Sequence, residues 1–120
     1  MIEILIAFAF KHFLADYVFN PGFEKNKYLG LGGLKHLWIH LSFSVICLGI
    51  VGLPWQTILL ATLINDAVHY HIDYIKSRYR HYRLPRQHLD INYDRDMRIV
   101  TGLDQLAHIM TYIAVAYYVS

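Results

Sequence analysis

Residues 55–79 read WQTILLATLINDAVHYHIDYIKSRY, an apolar run in which His69 and Asp73 lie four positions apart. On an α-helix this spacing places the two side chains on one face, about one turn apart. The run is also long enough for the roughly 20 residues that a helix needs to cross about 30 Å of hydrocarbon. It therefore predicts a membrane-spanning helix that carries a pair of metal-competent side chains.

Three further apolar segments carry a pair with the same spacing. They are residues 2–20 with His12 and Asp16, residues 34–53 with His36 and His40, and residues 97–119 with Asp104 and His108. Asn20-Pro21-Gly22 and the Gly52/Pro54 turn break the chain between segments. The sequence therefore predicts an all-α fold, an integral membrane four-helix bundle in which residues 1–120 form one domain with spans at 2–20, 34–53, 55–79 and 97–119.

Composition favours the membrane interpretation. The 120 residues are 56% hydrophobic, and the apolar segments are apolar on nearly every side. A soluble four-helix bundle is the alternative, but its helices would show polar faces between their apolar stripes. The net charge of +2 excludes a strong electrostatic preference for a polyanion.

The placement of basic residues predicts the orientation. Except for Lys11, every lysine and arginine lies within or beside two connections, residues 23–33 and 80–96. Because Lys and Arg are enriched in cytoplasmic loops, we expect a multi-pass protein of the cytoplasmic (inner) membrane with both termini outside. The expected partners are membrane lipids, with anionic headgroups at Arg78, Arg80, Arg83 and Arg86. Nucleic acid is the weaker alternative, since acidic residues after these arginines offset their charge.

This orientation brings the four pairs to similar depths. With a rise of about 1.5 Å per residue, one layer lies roughly 6–8 Å from the cytoplasmic end and a second roughly 12–14 Å from it. The first layer contains Asp16, His40, Asp73 and Asp104, and the second contains His12, His69 and His108. A carboxylate inside a bilayer costs roughly 2.5–3.5 kcal/mol on insertion scales, so these groups must be protonated, paired or coordinated.

Coordination is one interpretation, and a hydrogen-bonded polar core that fixes helix register is the other. Imidazole nitrogens and carboxylate oxygens suit a divalent Zn, Mn or Fe ion, and their number allows one or two ions. The predicted metal ligands are His12, Asp16, His40, His69, Asp73, Asp104 and His108, with His36 and Asp66 at the margins. Gln105, Asn20 and Lys76 are expected to contact these ligands rather than the metal.

The order of these motifs resembles domain of unknown function 3307, a family of small bacterial and phage membrane proteins. The resemblance rests on His12-Phe-Leu-Ala-Asp16-Tyr, Lys27, His36 with His40, His69-Tyr-His-Ile-Asp73-Tyr-Ile-Lys76 and Asp104-Gln105-Leu-Ala-His108. Asn20 stands where the family usually carries a glutamine. The resemblance implies a multi-pass helical membrane protein and brings no established activity.

Three functions remain open from the sequence. The first is a membrane-embedded metal-dependent hydrolase that acts on a lipid or other anionic substrate from the cytoplasmic side. Its catalytic residues would be Asp16, Asp73 and Asp104, with water as the nucleophile and a carboxylate that is not a ligand as general base. The second is a metal-ion or proton transporter or channel element, which would need a homo-oligomer to form a pathway. The third is a structural or regulatory membrane protein with a polar core.

Overall fold

The computed structural model describes residues 1–19, 31–83 and 93–120, and within them the fold is all-α, as predicted. The elements are α1 (Ile2–Phe13), a π-helical turn (Leu14–Val18), α2 (Leu31–Val51), α3 (Trp55–Arg83) and α4 (Tyr93–Val119). Two helices are longer than their predicted spans at the 80–96 connection. Helix α3 continues to Arg83, because the first helix-breaking residue after position 79 is Pro85. Helix α4 begins at Tyr93, four residues before the predicted span.

The predicted break between the second and third helices lies at Gly52. Its φ of +83° is a left-handed conformation that favours glycine, and its N–H donates to the Gly49 carbonyl at 3.0 Å. Pro54 then precedes the first turn of α3, where its carbonyl accepts from the Ile58 N–H at 3.0 Å. This short turn forces α2 and α3 to run antiparallel.

The four helices form an antiparallel ring. Helix α1 packs on α2 and α4, and α3 packs on α2 and α4. The direction of neighbouring helices follows from paired contacts, such as Asp73 with His108 and Lys76 with Asp104 between α3 and α4. Up-down-up-down order brings the start of α2 and α4 to the same end of the bundle as the finish of α1 and α3.

The interior of the bundle has two chemically different halves. Near the Gly52 turn it is an apolar core formed by Ile4, Ala7, Phe8, Cys47, Leu48, Ala61, Tyr112, Val115 and Ala116. In the opposite half the buried side chains are polar: Lys11, His12, His36, His40, Ser44, Asn65, Asp66, His69, Asp73, Asp104 and His108. All four predicted pairs therefore contribute side chains to one region.

The outer surface is apolar. Ile50 is 82% exposed, and Ile2, Trp38, Ile75 and Tyr117 are exposed to a similar extent. An apolar outside around a polar inside reverses the pattern of a soluble protein, in which buried charge is rare. Residues Gly33–Val51 and Arg95–Val119 are long and apolar enough to cross a membrane, and only 28% of each apolar window is buried within the described part of the bundle.

Candidate metal centre

A π-helical turn at the end of α1 presents the first carboxylate of the cluster. The Phe19 N–H donates to the Leu14 carbonyl at 2.9 Å, five residues back, which inserts one residue relative to an α-helix. Such π-bulges often occur at functional sites. Asp16 lies inside this turn, and its carboxylate faces α2 and α3.

Three ligand atoms from the π-helical turn and α2 form a nearly equilateral triangle, which we call the Asp16 triad. Asp16 Oδ1 lies 3.0 Å from His36 Nε2 and 3.0 Å from His40 Nε2, and the two nitrogens are 3.1 Å apart. His36 and His40 lie four residues apart on α2, so both imidazoles point inward from the same face. Two histidines and one carboxylate in this arrangement are positioned as the donors of a facial metal site would be.

A second set of two histidines and one carboxylate, the Asp73 triad, comes from α3 and α4. Asp73 Oδ2 lies 3.0 Å from His69 Nε2, and Asp73 Oδ1 lies 3.2 Å from His108 Nε2. All three side chains are almost completely buried. The two triads adjoin each other, since His36 Nε2 lies 3.5 Å from Asp73 Oδ2.

His69 belongs to the Asp73 triad and also faces the Asp16 triad. Its Nε2 is 3.9 Å from Asp16 Oδ2, so ligand atoms of Asp16, His36, His40 and His69 lie within 4.8 Å of one another, as do those of His69, Asp73 and His108. His69 Nε2 faces Asp73 Oδ2 at 3.0 Å, but among the described residues neither ring nitrogen meets hydrogen-bond geometry, although the side chain is 2% exposed. A buried polar atom without a hydrogen bond calls for a missing partner, such as an ion.

These separations fit metal coordination. Atoms about 2.0–2.2 Å from one ion are about 3.0–3.5 Å apart at octahedral or tetrahedral angles. The edges of the Asp16 triad fall within that range. In the Asp73 triad each carboxylate oxygen faces one imidazole, Oδ2 at 3.0 Å from His69 and Oδ1 at 3.2 Å from His108. The residues thus fit a divalent ion without a rearrangement of the helices.

His12 lies beside the cluster and outside both triads. Its Nδ1 is 3.2 Å from Asp16 Oδ2 and 2.8 Å from the Tyr112 hydroxyl, and its Nε2 is 3.3 Å from Gln105 Oε1. Both ring nitrogens therefore face other side chains. His12 is therefore placed to orient the Asp16 carboxylate.

Asp104 also lies next to the Asp73 triad without joining it. Its Oδ2 accepts hydrogen bonds from Lys76 Nζ at 2.7 Å and Gln105 Nε2 at 3.0 Å. Its Oδ1 lies 3.6 Å from His108 Nε2 and has no hydrogen-bond partner among the described residues. One buried carboxylate oxygen of Asp104 thus faces the Asp73 triad.

A buried ion pair lies between the Asp16 triad and the apolar core. Lys11 Nζ is 2.5 Å from Asp66 Oδ1 and 3.1 Å from His40 Nδ1, and the Lys11 side chain is fully buried. Asp66 also accepts from Ser44 Oγ and Asn65 Nδ2, each at 2.8 Å. Asp66, which the sequence predicts as a lower-ranked metal ligand, is instead paired with Lys11 and lies outside both triads.

The structure thus brings together most of the side chains that the sequence predicts for the site. Asp16, His36, His40, His69, Asp73 and His108 form the two triads, while His12, Asp104, Gln105 and Lys76 surround them. Asn20, Arg86 and the side chain of Arg83 lie outside the described residues. Arg78 and Arg80 lie on the last turns of α3, away from the triads.

Sequence reasoning missed four residues that contact the cluster: Lys11, Ser44, Asn65 and Tyr112. Three of them lie on the same helix face as a histidine and one turn away from it. Ser44 is four residues after His40, Asn65 is four before His69, and Tyr112 is four after His108. The signal for Lys11 was its position as the one basic residue within an apolar segment. A buried lysine needs an acidic partner, and Asp66 is the acidic residue that it contacts.

The fold and the site together define an all-helical protein whose buried histidine and aspartate side chains are positioned to hold a metal ion. Residues 4–120 match the family model described as protein of unknown function (DUF3307). The match covers nearly the whole chain, so the chain belongs to this family, and the predicted resemblance is confirmed. No curated protein and no solved structure matches the chain.

The geometry of His12 leads to a prediction that separates an orienting group from a ligand. We expect His12→Gln to keep metal at saturating concentration but to weaken metal affinity about 10- to 100-fold, as loss of a group that orients a ligand typically does. Competition with a chromophoric chelator measures this affinity. The matched control is His71→Gln, because His71 is exposed on α3 and bonds only its own helix at the Ala67 carbonyl. Complete loss of the ion in His12→Gln would instead make His12 a ligand.

Proposed function

We propose that the chain is a multi-pass protein of the cytoplasmic membrane whose four helices all cross the bilayer, with both termini outside. The apolar outer surface and the buried charged interior support this placement, because a bilayer solvates the first and the bundle shields the second. The basic residues at the end of α3 and the start of α4, with Arg86 between the two helices, support a cytoplasmic location for that end of the bundle. The metal cluster then lies in the cytoplasmic half.

Its function, in this proposal, is metal-dependent hydrolysis of a lipid or other anionic substrate. The observation that carries the proposal is the pair of adjoining triads, each with two histidines and one aspartate. Each imidazole nitrogen can bind one ion, so the six side chains would provide three ligands for each of two ions. Paired Zn, Mn or Fe ions supply Lewis acidity and an activated water, the chemistry of many hydrolases.

The surrounding residues have distinct roles in this mechanism. Asp16 and Asp73 would hold the ions and, as carboxylates, would neutralise part of their charge. Asp104 Oδ1 accepts the proton of the attacking water, since it is buried beside His108 without a hydrogen-bond partner among the described residues. Lys76 balances the Asp104 charge and is the cation closest to an incoming anion.

Ion transport is a second candidate function, favoured by one observation. The Lys11–Asp66 pair with Ser44 and Asn65 extends the polar interior from the Asp16 triad toward the centre of the bundle. Beyond it, Phe8 and Leu48 in the apolar core are fully buried, which blocks a polar path through a single chain. Metal or proton flux into proteoliposomes, without turnover of any lipid, would favour transport over hydrolysis.

Metal removal is expected to destabilise the protein strongly. A ligand present at about a thousandfold over its Kd stabilises the folded state by about 4 kcal/mol. We therefore expect a chelator to lower the midpoint of thermal unfolding in detergent, and readdition of Zn, Mn or Fe to restore it. An unfolding midpoint that a chelator leaves unchanged would favour the third function, a structural protein whose polar core holds no ion.

A further inference from the structure

An apolar groove runs along the outer face of the bundle between α3 and α4. Its volume is about 330 Å³, within the range of ligand-binding clefts, and it opens to the outside. Ile75 and Tyr79 line it from α3, and Val100 and Leu103 line it from α4. Ile75 and Leu103 are also strongly exposed, so the groove is continuous with the apolar surface around it.

The charged side chains that line this groove are those of the Lys76–Asp104 ion pair. The Lys76 side chain is 32% exposed, whereas that of Asp104 is 2% exposed, so the cation is accessible and the carboxylate lies behind it. Asp104 in turn adjoins His108 of the Asp73 triad. A single ion pair of 2.7 Å therefore separates the groove from the metal ligands.

The chemistry of this arrangement matches one class of membrane component. An acyl chain is complementary to the groove walls, and the phosphate of an anionic headgroup is complementary to Lys76. Arg80 follows Lys76 by four residues on α3, which places a second cation on the same side of the helix, one turn closer to the cytoplasmic end. A lipid held this way has its tail outside the bundle and its headgroup beside the triad.

We propose that this groove is the lateral entrance for an anionic phospholipid, with the acyl chain between α3 and α4 and the phosphate on Lys76. Binding of the phosphate exchanges the Lys76–Asp104 ion pair for a Lys76–phosphate pair. The exchange releases Asp104 from its ion pair, so that it can serve as the proton acceptor beside His108. It also gives the headgroup access to the Asp73 triad. This inference rests on the proposed membrane location and metal centre, and it names the substrate class of that site.

The test is lipid binding to the full chain purified in detergent, with phosphatidylglycerol and phosphatidylcholine as probes and native mass spectrometry as the readout. We expect the wild type to retain phosphatidylglycerol preferentially, and Lys76→Gln to weaken that retention about fivefold, the factor for one basic residue at a charged surface. Lys76→Arg should restore it. Leu103→Trp, which fills the groove, should reduce binding of both lipids, whereas Leu106→Trp, on an exposed position outside the groove, should not.

Three results would overturn the inference. They are equal binding of the two lipids by the wild type, unchanged phosphatidylglycerol binding by Lys76→Gln, and displacement of the lipid by inorganic phosphate alone. Metal content is measured on the same samples. Leu103→Trp and Leu106→Trp should leave it unchanged, and the Lys76 variants are compared with the wild type at equal metal content. Absence of metal from the wild type would refute the proposed hydrolase, whereas loss of lipid selectivity with intact metal refutes only the lateral entrance.

Discussion

His69→Ala is expected to remove at least half of the bound metal. His69 is the one described residue that belongs to both metal-competent groups. Without it, the second group keeps only Asp73 and His108, and two ligands do not hold a divalent ion through purification. The Asp16 triad keeps its three ligands but loses the neighbouring nitrogen at 3.9 Å from Asp16. Metal content per chain by elemental analysis is the measurement, and hydrolytic activity should be lost with it.

The control for this variant is His71→Ala. His71 lies two residues away on the same helix, is exposed, and contacts the Ala67 carbonyl rather than the cluster. We expect it to retain full metal content. Equal metal content in the wild type and both variants would contradict the assignment of His69 as a ligand.

Lys11→Met is expected to reduce the free energy of unfolding by about 3–5 kcal/mol, the usual cost of removing one partner of a buried ion pair. Asp66, 1% exposed, would then carry a charge opposed only by the hydroxyl of Ser44 and the amide of Asn65. This loss is a large part of the roughly 5–15 kcal/mol that stabilises a typical domain. Unfolding in mixed micelles, followed by far-UV circular dichroism with excess chelator, isolates the effect from metal binding.

A second substitution, Asp66→Asn, should restore much of the lost free energy of unfolding. In Lys11→Met/Asp66→Asn the buried charge is gone, while the amide oxygen still accepts from Ser44 and Asn65, so we expect partial recovery of stability. Lys35→Met, at an exposed lysine on α2, should leave unfolding unchanged. A double variant as unstable as Asp66→Asn and Lys11→Met added together would mean that the two residues do not act as a pair.

Much of the fold could be predicted from patterns within short stretches of the sequence. Four apolar runs, the Gly52/Pro54 turn and the i,i+4 pairs were sufficient to predict the helices and to place their polar faces together. The helix ends at the 80–96 connection were harder, because residues 80–83 are neither strongly apolar nor helix-breaking. Without an apolar pattern or a helix-breaking residue before Pro85, the sequence does not mark where α3 ends.

The sequence could not predict which of the clustered side chains form the triads and which lie beside them. Spacing places His12 and Asp16 on one face, but only the π-helical turn determines that Asp16 faces His36 while His12 faces Tyr112 and Gln105. Likewise, Asp66 and Asp73 both lie on α3, and the sequence does not say which of them meets Lys11. Such choices depend on side-chain geometry across helices, which the order of residues along one helix does not contain.

The central claim is that the two triads hold divalent metal, and elemental analysis of the wild-type chain purified in detergent without chelator tests it most directly. The account predicts about two Zn, Mn or Fe ions per chain, one for each set of three ligands. His36→Ala and His108→Ala should each lower that content by about one ion, since each removes a ligand from a different triad. A wild-type chain without stoichiometric transition metal, after expression in medium supplemented with all three metals, would contradict the account.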